Sequence, residues 1–178
     1  GLLGRQSFWQ HSLQTAILSQ ELAKHLAPDF KASPGVAYLG GLMHDIGFML
    51  LGHMYPEEFA VLNKVVEKYR HKEVRELELL CLGVSHDMVG LHLLRAWNMP
   101  EEICIAVSEH HFPEYGGHYS IYSQLVFLAN VLLGNNDSHG GTDSQEQASQ
   151  LIAKLQLSEE SINESLEALQ SMSSEVNS

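Results

Sequence analysis

The chain has 178 residues, 44% of them apolar, with 10 basic and 22 acidic side chains and a formal net charge of -12. This length and apolar content are typical of one domain with a sizeable core. Half of the negative excess lies in residues 142–178, which contain seven acids and one lysine. A nucleic-acid-binding protein presents a basic face, and the longest basic cluster here is residues 68–72, so we expect no nucleic-acid partner.

The cysteines and the apolar runs indicate the compartment. Cys81 and Cys104 form no CxxC motif and no disulfide framework, which is typical of a reducing cytosol, and both are expected to pack as small hydrophobes. The longest apolar run, residues 125–133, is far shorter than the ~20 residues of a membrane span. No signal peptide is recognisable at the start. These features predict a cytoplasmic protein, or a piece of one, without a membrane partner.

Apolar residues recur at helical spacing along nearly the whole chain, and no stretch alternates as a strand does. Ser7 and Gln10 have capping-box spacing, and Ser33 precedes Pro34 as an N-cap precedes a first helical residue. The first predicted helix begins at residue 7 and ends before residue 28, and the second runs from 34 to about 47–52. Seven further helices are predicted at 56–69, 73–82, 86–97, 100–110, 119–133, 143–155 and 158–172. The small residues of the second helix allow another helix to approach closely. The sequence therefore predicts an all-α bundle of about seven to nine helices.

Several histidines, an aspartate and an asparagine form the candidate site. They are His11 in the first helix, the pair His44-Asp45 late in the second, His86 at the start of the fifth, the pair His110-His111 at the end of the sixth, and Asn130 in the seventh. Imidazole and carboxylate are ligands that divalent transition metals accept. A set of this kind is suited to one buried metal site.

Each candidate also has a structural interpretation. A lone histidine on an apolar stripe, such as His11, is more often a hydrogen-bonded core residue. Polar residues at helix ends, such as those at 44–45 and 85–87, cap backbone groups, and a cationic imidazole near residue 110 would suit a helix C-terminus. The remaining histidines are assigned to the surface or to packing: His25, His53, His71, His92, His118 and His139. Trp9 and Trp97 are interpreted as core anchors.

Four motifs together resemble the HD superfamily. They are Phe8-Trp9-Gln10-His11-Ser12, Gly41-Leu42-Met43-His44-Asp45-Ile46-Gly47, His86-x-x-x-Gly90 with Trp97-Asn98-Met99-Pro100, and His110-His111. Over about residues 8–134 the chain is most similar to the HDOD domain, the HD-related output domain of bacterial signalling proteins. The resemblance implies an all-α, cytoplasmic signal-transduction domain. Active relatives are metal-dependent phosphohydrolases, including the HD-GYP phosphodiesterases of cyclic di-GMP.

The resemblance also implies the domain limits and the ligands. Residues 1–137 would form the HD/HDOD-like helical domain, and residues 138–178 an acidic helical extension that packs on it. One divalent metal would be bound by His11, His44, Asp45 and Asn130, and a second by His86, His110 and His111, with Fe, Mn, Ni or Zn as the ion. HDOD proteins usually have a further helical subdomain upstream, so this chain is expected to be a fragment or a natural short form.

Three departures from the active relatives indicate degenerate catalysis. Asn130 stands where a carboxylate normally completes the ligand set, and an amide oxygen adds no negative charge. Phe48 stands where HD-GYP enzymes have a lysine that stabilises phosphate charge. The loop at residues 112–117 keeps its glycines but not the Gly-Tyr-Pro signature. Since electrostatic stabilisation is commonly the largest catalytic contribution, these losses predict weak hydrolysis.

Three functions therefore stay open. The first is a non-catalytic or weakly catalytic signalling module that relays a state to a protein partner or a neighbouring signalling domain, with metal as a structural element. The second is a metal-dependent phosphohydrolase acting on a nucleotide or cyclic dinucleotide. The third is a metal-free interaction domain in which the histidines only make hydrogen bonds.

Overall fold

The structure, a computed structural model, describes residues 5–134 and 142–176. These residues form helices and no strand, so the all-α prediction is confirmed. The helices are α1 Arg5–Lys24, α2 Pro34–Met43, α3 Ile46–Met54, α4 Pro56–Lys68, α5 Val74–Leu82, α6 His86–Ala96, α7 Glu101–Glu109, α8 Ser120–Leu132, α9 Thr142–Lys154 and α10 Glu159–Val176, with a 3-10 turn at Pro28–Phe30. α1 begins two residues before the predicted N-cap Ser7, whereas Ser33 caps α2 as predicted, accepting a hydrogen bond from the Val36 amide.

Helix α8 is the centre of the main core. Its residues 122–131 are all buried, including the polar Ser123, Gln124 and Asn130. α8 packs against α1, α2, α7 and α9. α2 in turn lies very close to α1, because a Cβ on Gly41 would be only 2.7 Å from the Cα of Ala16. The small residues of α2 therefore permit the close approach that the sequence predicted.

The second predicted helix is divided in two. α2 ends at Met43, α3 begins at Ile46, and the chain turns at His44 and Asp45 between them. Asp45 leaves helical geometry, with φ of -107° and ψ of 16°. Adjacent residues of a continuous helix project about 100° apart, so the break is what allows the imidazole and the carboxylate to face one site. α3 then packs against α6.

The two C-terminal helices share the main core. Ala148 and Leu151 of α9, Leu155 just after it and Leu169 of α10 are buried in the same apolar cluster as residues of α1 and α8. The predicted domain boundary at residues 137 and 138 lies outside the described residues. The division into a main domain and an acidic extension therefore stays a prediction.

One stretch of the described residues, Pro34–Met54, is long and apolar enough to cross a membrane. Helices α5 and α6 would form a second such stretch only if they made one span, but they are bent by 78° relative to each other. Core helices of globular domains pass the same test. Pro34–Met54 is formed by α2 and α3, which pack against α1, α6, α7 and α8. It also has a histidine and an aspartate in its middle, where ionisable groups are costly in lipid. This packing favours a core role for the stretch.

Three packing predictions are wrong. Trp9 and Trp97 are 46% and 57% exposed, and Cys81 is also exposed, whereas Cys104 is buried. Trp9 lies in the second turn of α1 and Trp97 is the C-cap of α6. Helix ends have fewer packing partners than helix middles, so the bulk of these two rings does not place them in the core.

Candidate metal centre

Asp45 lies at the centre of a cluster of imidazoles. Its Oδ2 is 3.1 Å from Nε2 of His44 and 3.6 Å from Nε2 of His11. Its Oδ1 is 3.3 Å from Nε2 of His86 and 3.5 Å from Nε2 of His110. The carboxylate thus separates two groups of ring nitrogens. We call His11 with His44 the His11 half, and His86 with His110 and His111 the His86 half.

Each half has the dimensions of a metal site. The Nε2 atoms of His11 and His44 are 3.2 Å apart, and those of His86 and His111 are 2.7 Å apart. The candidate ligand atoms of His11, His44 and Asp45 lie within 4.8 Å of one another, as do those of the His86 half. Metal to imidazole distances are about 2.0–2.1 Å, so three atoms this close can share one ion.

Two of the histidines are held by backbone carbonyls. Nδ1 of His44 donates to the Gly41 carbonyl at 2.6 Å, and Nδ1 of His110 donates to the Val107 carbonyl at 2.7 Å. A carbonyl oxygen only accepts, so Nδ1 carries the proton in both rings. In a neutral ring the lone pair is then on Nε2, the nitrogen that faces Asp45. Metal-binding histidines are oriented in this way by a hydrogen bond on the other nitrogen.

Nε2 of His110 is buried and has no hydrogen-bond partner. Burial, partly opposed by Asp45, lowers the pKa of His110, which keeps the ring neutral. A lone pair on Nε2 therefore faces the Asp45 carboxylate at 3.5 Å. Two acceptors that face each other without a donor cost free energy in a buried site. A cation between Nε2 of His110 and the Asp45 carboxylate would turn this repulsion into attraction. The donor set fits a divalent metal on this observation.

The protonation states differ between the halves. Burial and the neighbouring His44 lower the pKa of His11 to about 4, so this ring is neutral and can be a ligand. Burial disfavours a charged Asp45, but the neighbouring His44 and His86 hold its pKa well below the usual range. Burial is also overcome at His86, where Glu78 and Asp45 raise the pKa to about 10. The ring of His86 is therefore protonated on both nitrogens near neutral pH when no metal is bound.

Glu78 of α5 is a site residue that none of the four sequence motifs contains. It is fully buried, and both of its carboxylate oxygens lie 2.8 Å from Nδ1 of His86. The available signal was an acidic residue on the apolar face of α5, beside Val74 and Leu77, which are both buried. The nearby Asp87 has a different role, because it pairs with Arg75 at 3.1 Å.

Asn130 lies beside the His11 half, on α8. It is 5% exposed, its side chain hydrogen-bonds His11, and its Oδ1 accepts from Thr15 Oγ1 at 3.4 Å. It is therefore close enough to complete this half, as the resemblance implied. Its neutral amide leaves Asp45 as the carboxylate of the His11 half.

Phe48 forms one wall of the site. Its ring stacks on His86, with centroids 4.0 Å apart and planes 15° apart, and it is buried in an apolar cluster with Leu62, Val66 and Leu77. On its outer side lies a cavity of about 480 Å³ lined mainly by Phe8, Phe59 and other apolar side chains. The position that has a lysine in HD-GYP enzymes is here part of the core.

We expect Phe48→Lys to lower the free energy of unfolding by about 2–4 kcal/mol, because it buries an ammonium group and removes an aromatic ring from the core. Urea denaturation measures the change. Met54→Lys is the matched control, since Met54 is 55% exposed on the same helix. Equal stability of the two variants would contradict a core role for Phe48.

The other histidines lie apart from the cluster. His25 is 3.6 Å from Glu164 of α10, while His53, His71, His92 and His118 are exposed, in line with their assignment to the surface or to packing. His139 lies outside the described residues. The structure therefore brings together the candidate residues and leaves the background histidines outside.

The described helices and the convergent histidines define an HD-type helical domain. The HDOD domain family matches residues 1–113, more than half of the chain. The chain therefore belongs to the HDOD domain family, which confirms the resemblance read from the four motifs.

Three known proteins illustrate this similarity. An uncharacterized protein of Treponema pallidum (strain Nichols) is 26% identical over 130 residues, 72% of this chain and 25% of that protein. A crystal structure from Marinobacter aquaeolei VT8, named provisionally as a signal transduction protein, matches with a TM-score of 0.79 and 23% identity, covering 96% of this chain and 39% of that one. A crystal structure from Shewanella amazonensis SB2B, named provisionally as a phosphohydrolase, matches with a TM-score of 0.70 and 21% identity, covering 93% and 59%.

These structural matches show the fold. The chain spans a quarter of the curated relative and less than two thirds of either crystallised protein.

Proposed function

We propose that the chain is a cytoplasmic HDOD signalling module that relays a state to a protein partner or a neighbouring signalling domain. Its His/Asp pocket binds one or two divalent transition metals, Fe, Mn, Ni or Zn, as a structural element. The observation that carries the metal proposal is the unpartnered Nε2 of His110 facing Asp45. A bound ion supplies fixed positive charge between these groups.

Asp45 would contribute to both halves of the pocket, and each histidine to one half. Asp45 offers one oxygen to each half of the pocket, and His11 and His44 supply ring nitrogens to one half. His86, His110 and His111 supply the other half. Asn130, whose side chain hydrogen-bonds His11, would add its amide oxygen to the His11 half.

Weak or absent hydrolysis is part of the proposal. Phe48 covers one face of His86 with an apolar ring, where a lysine would offer positive charge to a phosphate. Asn130 leaves the His11 half short of a carboxylate, so an ion there is held less tightly. Both changes remove electrostatic stabilisation that phosphoryl transfer depends on.

A phosphohydrolase acting on a nucleotide or cyclic dinucleotide is the second candidate. It is favoured by the presence of four histidines within 4 Å of one carboxylate, that of Asp45, with His111 beside His86. Incubation of metal-loaded protein with bis-p-nitrophenyl phosphate and with cyclic dinucleotides separates the two candidates. Turnover that disappears on removal of the metal would support the enzyme and contradict the non-catalytic module.

Metal content tests the pocket itself. Protein would be analysed by mass spectrometry as isolated and after incubation with Mn, Fe, Ni and Zn, together with His110→Gln. We expect stoichiometric metal in the wild type and a large loss in the variant, because the orphaned nitrogen is removed while side-chain size is nearly kept. His92→Ala is the control, since His92 is exposed on α6. Equal metal in His110→Gln and wild type would contradict the site, and no metal in either would leave the metal-free interaction domain.

A further inference from the structure

We propose that Glu78 is the positioning residue that makes the His86 half the first and tightest cation site of the pocket. This inference rests on the proposed metal binding and adds an order of occupancy to it. Glu78 does not face the ion, but acts through the ring of His86.

The contacts of Glu78 hold both the ring and the backbone of His86. Both carboxylate oxygens lie 2.8 Å from Nδ1 of His86, and Oε2 also accepts from the His86 backbone amide at 3.1 Å. Phe48 stacks on the face of the same ring at 4.0 Å. The ring can therefore neither rotate nor tilt freely, and its Nε2 stays directed at Asp45 and His111.

The two halves differ in what supports their histidines. Nδ1 of His86 hydrogen-bonds the buried carboxylate of Glu78, whereas Nδ1 of His44 hydrogen-bonds the neutral carbonyl of Gly41. A carboxylate on the far nitrogen makes an imidazole a stronger metal ligand and adds negative charge close to the cation. A cation in the His86 half is thus near two carboxylates, those of Asp45 and Glu78.

The number of imidazoles favours the same half. The His86 half offers three ring nitrogens, and Oδ1 of Asp45 lies 3.3 Å from Nε2 of His86 and 3.5 Å from Nε2 of His110. Three imidazoles and one carboxylate oxygen are as many ligands as a four-coordinate ion takes. The His11 half offers two ring nitrogens, the other carboxylate oxygen and the amide of Asn130. The first ion therefore enters the His86 half, and a second ion in the His11 half is bound more weakly.

The main alternative is that Glu78 only neutralises a protonated His86 in a metal-free core. Glu78→Gln distinguishes the two roles, because glutamine keeps a hydrogen-bond acceptor of the same length but removes the charge. The matched control is Asp87→Asn, which also removes a buried carboxylate close to His86, but one that pairs with Arg75.

The experiment is a titration of metal-free protein with Co2+, followed by visible absorption and by competition with a chelator. We expect Glu78→Gln to weaken the first binding event by about 10–100-fold and to alter its absorption spectrum, while Asp87→Asn keeps both the affinity and the spectrum of the wild type. A first event unchanged in Glu78→Gln would overturn the proposal.

Two further variants decide the order of occupancy if Glu78→Gln does not fold. We expect His111→Ala to lose the first, tighter Co2+ and His44→Ala to keep it while losing the second. The reverse pattern would overturn the proposal without affecting metal binding. Absence of Co2+ binding by the wild type would instead contradict the proposed function, so the two failures are distinguishable.

Discussion

Replacing Gly47 by alanine is expected to lower the free energy of unfolding by about 3 kcal/mol. A Cβ on Gly47 would overlap the carbonyl oxygen of His86 and lie 2.7 Å from its carbonyl carbon. These are backbone atoms, which cannot move aside as a flexible side chain can. α3 and α6 must therefore separate, and Asp45 must move away from the His86 half. Urea denaturation measures the loss of stability, and the Co2+ titration measures the accompanying loss of metal affinity.

Gly35→Ala is the control for this substitution. Gly35 lies in the first turn of α2, and the nearest atom to an added Cβ is 3.9 Å away. Alanine is the better helix former, so this variant should be as stable as the wild type or slightly more stable. Unfolding of Gly47→Ala at the same urea concentration as Gly35→Ala would contradict the close approach of α3 to α6 at Gly47.

The sequence predicted which residues lie close together at the site, but not the backbone geometry that brings them together. Helical periodicity was sufficient to find the elements, and the four motifs selected the residues that converge. The sequence predicted one helix from residue 34 to about 47–52 and not the break between α2 and α3, because no proline interrupts residues 41–49 and the polar pair at 44–45 is too short to end a helix by itself. What produces it is tertiary: α3 packs against α6, and this contact competes with continuation of α2.

Glu78 could not be assigned to the site from its spacing. Its place beside the apolar positions of α5 indicates burial at most, and only the fold shows that the residue it contacts is His86. Trp9 and Trp97 were misassigned for the opposite reason. Their size indicated the core, but their places near helix ends leave them exposed.

The site is built from helix ends. His44 is the C-cap of α2, Asp45 the N-cap of α3, His86 the first residue of α6, and His110 the C-cap of α7. An ion bound among them would hold four helix ends at fixed separations. A small displacement of one helix would in turn change the distances at the site, which is how packed helices can transmit a local change to a distant surface. This arrangement suits a module that relays a state.

Asp45→Asn is expected to abolish tight binding in both halves of the pocket, because one carboxylate supplies an oxygen to each. Single histidine substitutions should remove one ion, whereas this variant should remove two. Its amide also places an NH2 group against one of the two sets of ring nitrogens, which opposes a cation there. We expect the affinity for the first Co2+ to fall by at least about 100-fold, the upper end of the effect expected from losing a supporting group.

Thermal unfolding gives an independent measure of this loss. A ligand at 100 times its Kd stabilises the folded state by about 2.7 kcal/mol, so Co2+ should raise the Tm of the wild type and of Asp87→Asn. Asp45→Asn should show no such rise at the same concentration. A wild-type shift in Asp45→Asn would mean that the stabilising ion binds elsewhere on the chain, and that the Asp45 carboxylate is not a ligand.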